Sequence, residues 1–93
     1  MSKLMNNKQV SLWLNGQFLN LYSHKALPTE SVLEMTQVST AYFQGNASKE
    51  EIANGRLRLM LEALVDEDDS EMLMSLSEED INWTYTIWIL ANG

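Results

Sequence analysis

Residues 77–92, SEEDINWTYTIWILAN, constrain this chain most, because they read as a helix that is apolar on two sides. The Ser77 hydroxyl can accept a hydrogen bond from a free backbone N–H, and Glu78, Glu79 and Asp80 put negative charge on the positive end of the helix dipole. The helix is expected to begin at Glu78. At helical spacing Ile81, Tyr85, Trp88 and Ile89 share one face, while Trp83, Ile87 and Leu90 share another, so apolar surface exceeds the usual single stripe. One face enters a core. The other needs either a further layer of the same chain or a docking partner, and Trp and Tyr are residue types that carry much of the binding energy at interfaces.

The chain has 93 residues, enough for one domain. A chain of this size buries only about 60–65% of its unfolded surface, so its stability margin is thin and a partner or a second copy would widen it. Apolar residues make up 45% and charged residues 20%, a globular balance that argues against wholesale disorder. There is no Cys, which removes a disulfide framework and a thiolate metal site. The opening MSKLMNNKQV lacks a long apolar stretch, and no run approaches the roughly 20 apolar residues of a membrane span. A soluble, cytoplasmic protein without membrane partners is the expectation.

The net charge of −7 hides an asymmetry. All six basic residues (Lys3, Lys8, Lys25, Lys49, Arg56, Arg58) precede residue 59, against four acids there, whereas nine acids and no base follow. The C-terminal third therefore repels nucleic acid and attracts a basic protein surface.

Residues 9–22, QVSLWLNGQFLNLY, predict a β-hairpin. Val10, Leu12 and Leu14 alternate with Ser11 and Trp13, and Asn15-Gly16 is the dipeptide preferred in type I′ turns because both residues tolerate positive φ. Trp13, opposite in phase to the other apolar residues, either covers a second face or marks a contact. Residues 1–8 are expected to be flexible. After a connector, Pro28 and Thr29 lead a helix, with Thr29 as one candidate cap and Ser31 with Glu34 as a competing capping box. Val32, Met35, Val38 and Tyr42 give it a core face, and Gly45-Asn46 stop it. Ser48 and Glu51 form a second capping box, opening a helix over about 49–65 that Asn54-Gly55 can interrupt. Arg56 and Arg58 are expected in solvent. Residues 66–70, DEDDS, are a charged connector, and a short helix is expected over 71–76. The result is a single α+β domain, mainly α, with an N-terminal β-hairpin and, within residues 29–92, three main helices and one short helix.

Catalytic patterns are absent. His24 is the only histidine and has no nucleophile with an orienting carboxylate nearby in sequence. Asp66, Asp68 and Ser70 have calcium-loop spacing, but Glu71 stands where the turn glycine belongs and Ser77 where the bidentate carboxylate belongs. The paired acids at helix starts are explained by capping. No cofactor, metal site or enzymatic activity is expected. Six Met residues are many for this length, and Met60, Met72 and Met74 flank the acidic connector; flexible thioethers suit surfaces that accept varied apolar segments. Met72, Met74, Trp83 and Trp88 are therefore candidates for a shared partner groove, with Trp13 as a further contact.

The order of elements, VSLWLNGQFLNLY, then LPTESVLEM, LRLMLEALV, an acidic break and LSEEDINWTYTIWI, resembles the small tail assembly chaperones of long-tailed bacteriophages. The resemblance spans residues 10–90 and lies in pattern, without a diagnostic motif. It implies a non-enzymatic protein in the host cytoplasm, several copies of which bind the long, helical, aggregation-prone tape measure protein while tube subunits assemble around it. It also implies a longer frameshifted product, of which this chain would be the shorter counterpart. The rival expectation is a small acidic inhibitor or adaptor that occupies a basic surface of one specific protein. A third is a structural subunit that self-associates through the hairpin edge or the last helix.

Overall fold

The computed structural model describes residues 8–91. The expectation of a flexible segment over 1–8 falls outside them except at Lys8, whose carbonyl accepts a hydrogen bond from the Ser23 N–H at 2.8 Å. Strands β1 (Gln9–Leu14) and β2 (Gln17–Tyr22) form an antiparallel hairpin. Helices α1 (Thr29–Phe43), α2 (Lys49–Glu62), α3 (Ser70–Met74) and α4 (Glu78–Leu90) follow, with 3-10 turns at His24–Ala26 and Glu67–Asp69. The fold is α+β and mainly α.

Asn15 and Gly16 both take positive φ, 49° and 82°, the backbone of a type I′ turn whose twist matches the flanking strands. That turn sets the register, Leu14 opposite Gln17, Leu12 opposite Leu19 and Val10 opposite Leu21. Because side chains alternate along a strand, Val10, Leu12, Leu19 and Leu21 all face inward and are buried. Ser11, Trp13 and Phe18 face outward.

The hairpin's inner face closes over α2, α3 and α4, and Leu59, Met60, Ala63, Leu73, Ile81, Tyr85 and Trp88 complete the core. Helix α4 starts at Glu78 with Ser77 Oγ accepting the Asp80 N–H at 3.2 Å. At α2 the capping box is complete: Ser48 Oγ accepts the Glu51 N–H and Glu51 Oε1 accepts the Ser48 N–H, both at 3.1 Å.

Three local expectations are corrected by tertiary contacts. At α1 neither proposed cap forms, and the Pro28 carbonyl accepts the first helical N–H groups. The Ser31 hydroxyl donates instead to Glu62 at 2.7 Å and Glu34 pairs with Arg58 at 2.8 Å, so α2 takes both members of the expected box. Helix α2 runs unbroken through Gly55 but stops at Glu62. Residues 63–65 leave the helix to pair with β2: Tyr22 N–H donates to the Ala63 carbonyl at 2.7 Å, Val65 N–H to the Asn20 carbonyl at 3.2 Å, and Leu64 bridges Leu21. The third correction concerns burial. None of α1 is buried, because α2 is its main packing partner; Met35 and Val38 are half-buried toward α2 while Val32 and Leu33 are exposed.

Candidate functional site

Two of the five candidate contact residues share one groove. It measures about 250 Å³, with residues 11–14 of β1 on one side and Trp83, Thr84 and Ile87 of α4 on the other. Trp13 and Trp83 are each 63% exposed. The register places Trp13 opposite Phe18, and their rings meet edge to face with centroids 4.8 Å apart. Such pairs gain about 0.5–1.5 kcal/mol beyond area burial, so the two rings hold each other in place on a face open to solvent. Phe18, 60% exposed, was not singled out from sequence, yet a two-residue turn at 15–16 makes it Trp13's cross-strand neighbour by arithmetic.

Trp88 is not a contact residue: it is 1% exposed. Its indole N–H donates to the Tyr22 carbonyl at 2.9 Å, and its ring meets Tyr85 edge to face at 5.8 Å and His24 at 6.1 Å. Helical phase is the reason. Ile81, Tyr85 and Trp88 recur on the inward face of α4 and Thr84 widens it, while Trp83 and Leu90 point away. Met72 is half-buried against the core, and its sulfur lies against the Gln17 side-chain amide of the hairpin tip. Met74 is 56% exposed. The partner of Trp83 in the groove is thus Trp13, and Met72 serves the hairpin.

Arg56 departs from the expectation of a solvent position. It is half-buried between α2 and α4, donating to Asn82 Oδ1 at 2.8 Å with its guanidinium 5.0 Å from the centre of the Tyr85 ring. Its spacing of four from both Ile52 and Met60 put it on the buried face and was the readable signal. It borders a second hollow of about 350 Å³ with Tyr42, Phe43, Lys49 and Glu78, where both charge signs meet. Burial pushes the Tyr85 hydroxyl above its ordinary pKa, with Arg56 opposing. His24 lies below its ordinary 6.5, through burial first and Lys25 second.

Among the described residues no group of three or more His, Asp or Glu side chains converges on a common point, and Asp66 spends its carboxylate capping the Asp68 N–H at 2.9 Å. The acids of α3, α4 and the connector make no ion pair among the described residues, where the Arg58–Glu34 bridge joins α1 to α2. No described helix is long and apolar enough to cross a membrane. The geometry defines a small hairpin-and-helix domain with an exposed aromatic pair and, among the described residues, no ion pair to the acids after residue 59. Comparison with models of known protein families, with curated proteins and with solved structures finds no match.

Proposed function

We propose that this chain is a non-enzymatic protein-binding module that works as a tail assembly chaperone, keeping an elongated, aggregation-prone tape measure protein soluble in the host cytoplasm. The observation that carries this reading is the exposed Trp13–Phe18 pair on the outer hairpin face, its rings in edge-to-face contact. Two large aromatics cost little side-chain entropy to immobilise and offer apolar area to a client's apolar stripe. Met74 adds a flexible exposed contact. The nine acids after residue 59 favour clients that carry basic residues and keep a loaded complex in solution.

The same unpaired acids favour one rival, an inhibitor seated on a basic surface of one protein. Stoichiometry separates the two. Co-expression with a tape measure protein should move that protein into the soluble fraction with several copies of the chain per client, and replacing Trp13 and Phe18 together by Ser should abolish the effect while the circular dichroism spectrum is kept. A client that stays insoluble at every ratio refutes the chaperone. One-to-one binding that blocks nucleic-acid binding by a basic protein establishes the rival.

A further inference from the structure

We propose that the outer edge of β1 is a self-association seam, where a second copy of this chain adds its own β1 antiparallel to make a four-stranded sheet. The inference concerns the strand edge and the groove beneath it; Trp13 is common to this and the client reading, whereas Phe18 stays on the outer face.

The type I′ turn makes Leu14 and Gln17 a hydrogen-bonded pair, so the backbone groups of Val10, Leu12 and Leu14 point to β2. Those of Gln9, Ser11 and Trp13 must then point away from it. The opposite strand obeys the same alternation, for its outward groups at Asn20 and Tyr22 bond to Val65 and Ala63. Residues 63–65 thus cover the edge of β2. Among the described residues no hydrogen bond reaches the outward N–H groups of Ser11 and Trp13.

Open edges are ordinarily guarded by a charge, a proline or a bulge. Residues 9–14, QVSLWL, carry neither charge nor proline, and their register with β2 is unbroken.

Three features select a second copy as the occupant. The outward groups are self-complementary about Ser11: a two-fold axis there sets Ser11 against its own mate and Gln9 against the partner's Trp13, closing about six inter-chain hydrogen bonds. Charge is the second feature. Two chains of −7 repel, but residues 9–22 contain no charged side chain, so paired β1 strands set no like charges opposite one another. Area is the third. Covering Trp83 and Ile87 in both copies together with two strand edges removes roughly 1,000 Å² from water, the lower bound of a specific interface. An interface at that lower bound belongs with the weak, transient ones, so association is sought in the micromolar range.

The test is light scattering coupled to size exclusion on the full chain, with amide hydrogen exchange alongside. Mass should rise twofold from the 10.6 kDa of one chain as concentration passes through the micromolar range, and the Ser11 and Trp13 amides should become protected over the same range. Ser11→Pro removes an outward donor without touching the β2 ladder, a position where an edge strand tolerates proline; Trp13→Lys adds the missing guard charge. Both should remain monomeric with unchanged circular dichroism. If the proline variant loses its fold, the lysine variant decides. A wild-type monomer at all concentrations overturns the proposal, as does a folded variant that still dimerises. Protection of the edge amides only on adding a client, in a monomeric protein, also overturns it and makes the edge a client site. Client solubilisation is scored on the Ser11→Pro variant, since Trp13 is itself a proposed client contact, and on a Phe18→Ser variant whose edge is intact, so either idea can fail alone.

Discussion

Replacing Gly55 by Ala should stabilise this protein, and the size of the gain follows from its surroundings. Gly55 lies inside α2, where glycine costs about 1 kcal/mol relative to alanine through backbone entropy. It is buried at the α1–α2 contact, but a Cβ built there would meet only Val38 Cγ1, at 3.8 Å, an ordinary van der Waals distance. The added methyl would also enter the narrow gap between Met35, Val38 and Leu59, contributing a share of the ~0.8 kcal/mol of a buried methylene. A gain of roughly 1–1.5 kcal/mol is expected, and at roughly 4–8 °C per kcal/mol for a domain of this size the melting temperature should rise by about 5–10 °C. Thermal unfolding followed by circular dichroism, with urea titration to confirm an unchanged m-value, measures it. A lowered melting temperature would refute the reasoning, because it would mean that α1 approaches α2 closely enough for glycine to be required.

Trp88→Ala should cost about 3–5 kcal/mol by leaving a core cavity and an unpartnered Tyr22 carbonyl, whereas Trp83→Ala should stay within about 0.5 kcal/mol of wild type; equal losses in urea unfolding would sink the two-face assignment of α4. Thr84→Val should stabilise by about 1 kcal/mol in the same assay, since the Thr84 hydroxyl is buried with no hydrogen-bond partner among the described residues; a loss would reveal a partner for it. His24 has a folded-state pKa below 6.5, so the folded state binds fewer protons than the unfolded state between the two values. Stability attributable to it is full above pH 6.5 and falls as pH drops toward the folded pKa. His24→Gln should therefore flatten the decline in melting temperature below that pH, and an identical slope in both proteins would count against it. Ser48→Ala should cost about 1 kcal/mol through loss of the α2 capping box, read from the shift in urea midpoint.

Local signals decided most of the elements. Asn15-Gly16 dictates a hairpin because few other dipeptides accept two positive φ values in succession, and alternation about that turn already separates buried Val10 and Leu12 from exposed Trp13. Ser48 with Glu51, and Ser77 before three acids, start their helices because their side chains find the backbone N–H groups within one turn and no other element claims them. Periodicity likewise divided α4 into an Ile81–Tyr85–Trp88 face and a Trp83–Leu90 face. It could not say which face another part of the chain would cover, since both are apolar and burial is a property of what packs against a surface. Only the tertiary structure decided that Trp88 closes the core by donating to Tyr22 while Trp83 meets Trp13 across a groove. Packing also ended α2 at Glu62, where pairing with β2 satisfies the backbone of residues 63–65 as well as a further helical turn would. It drew Arg56 inward over Tyr85 and left α1 on the outside. Turns, and caps such as Ser48 with Glu51 whose members no other helix claims, are settled between residues a few positions apart and can be read in order; the Ser31–Glu34 box, given up to Glu62 and Arg58, and the groove between residues 13 and 83 depend on contacts that only folding brings together.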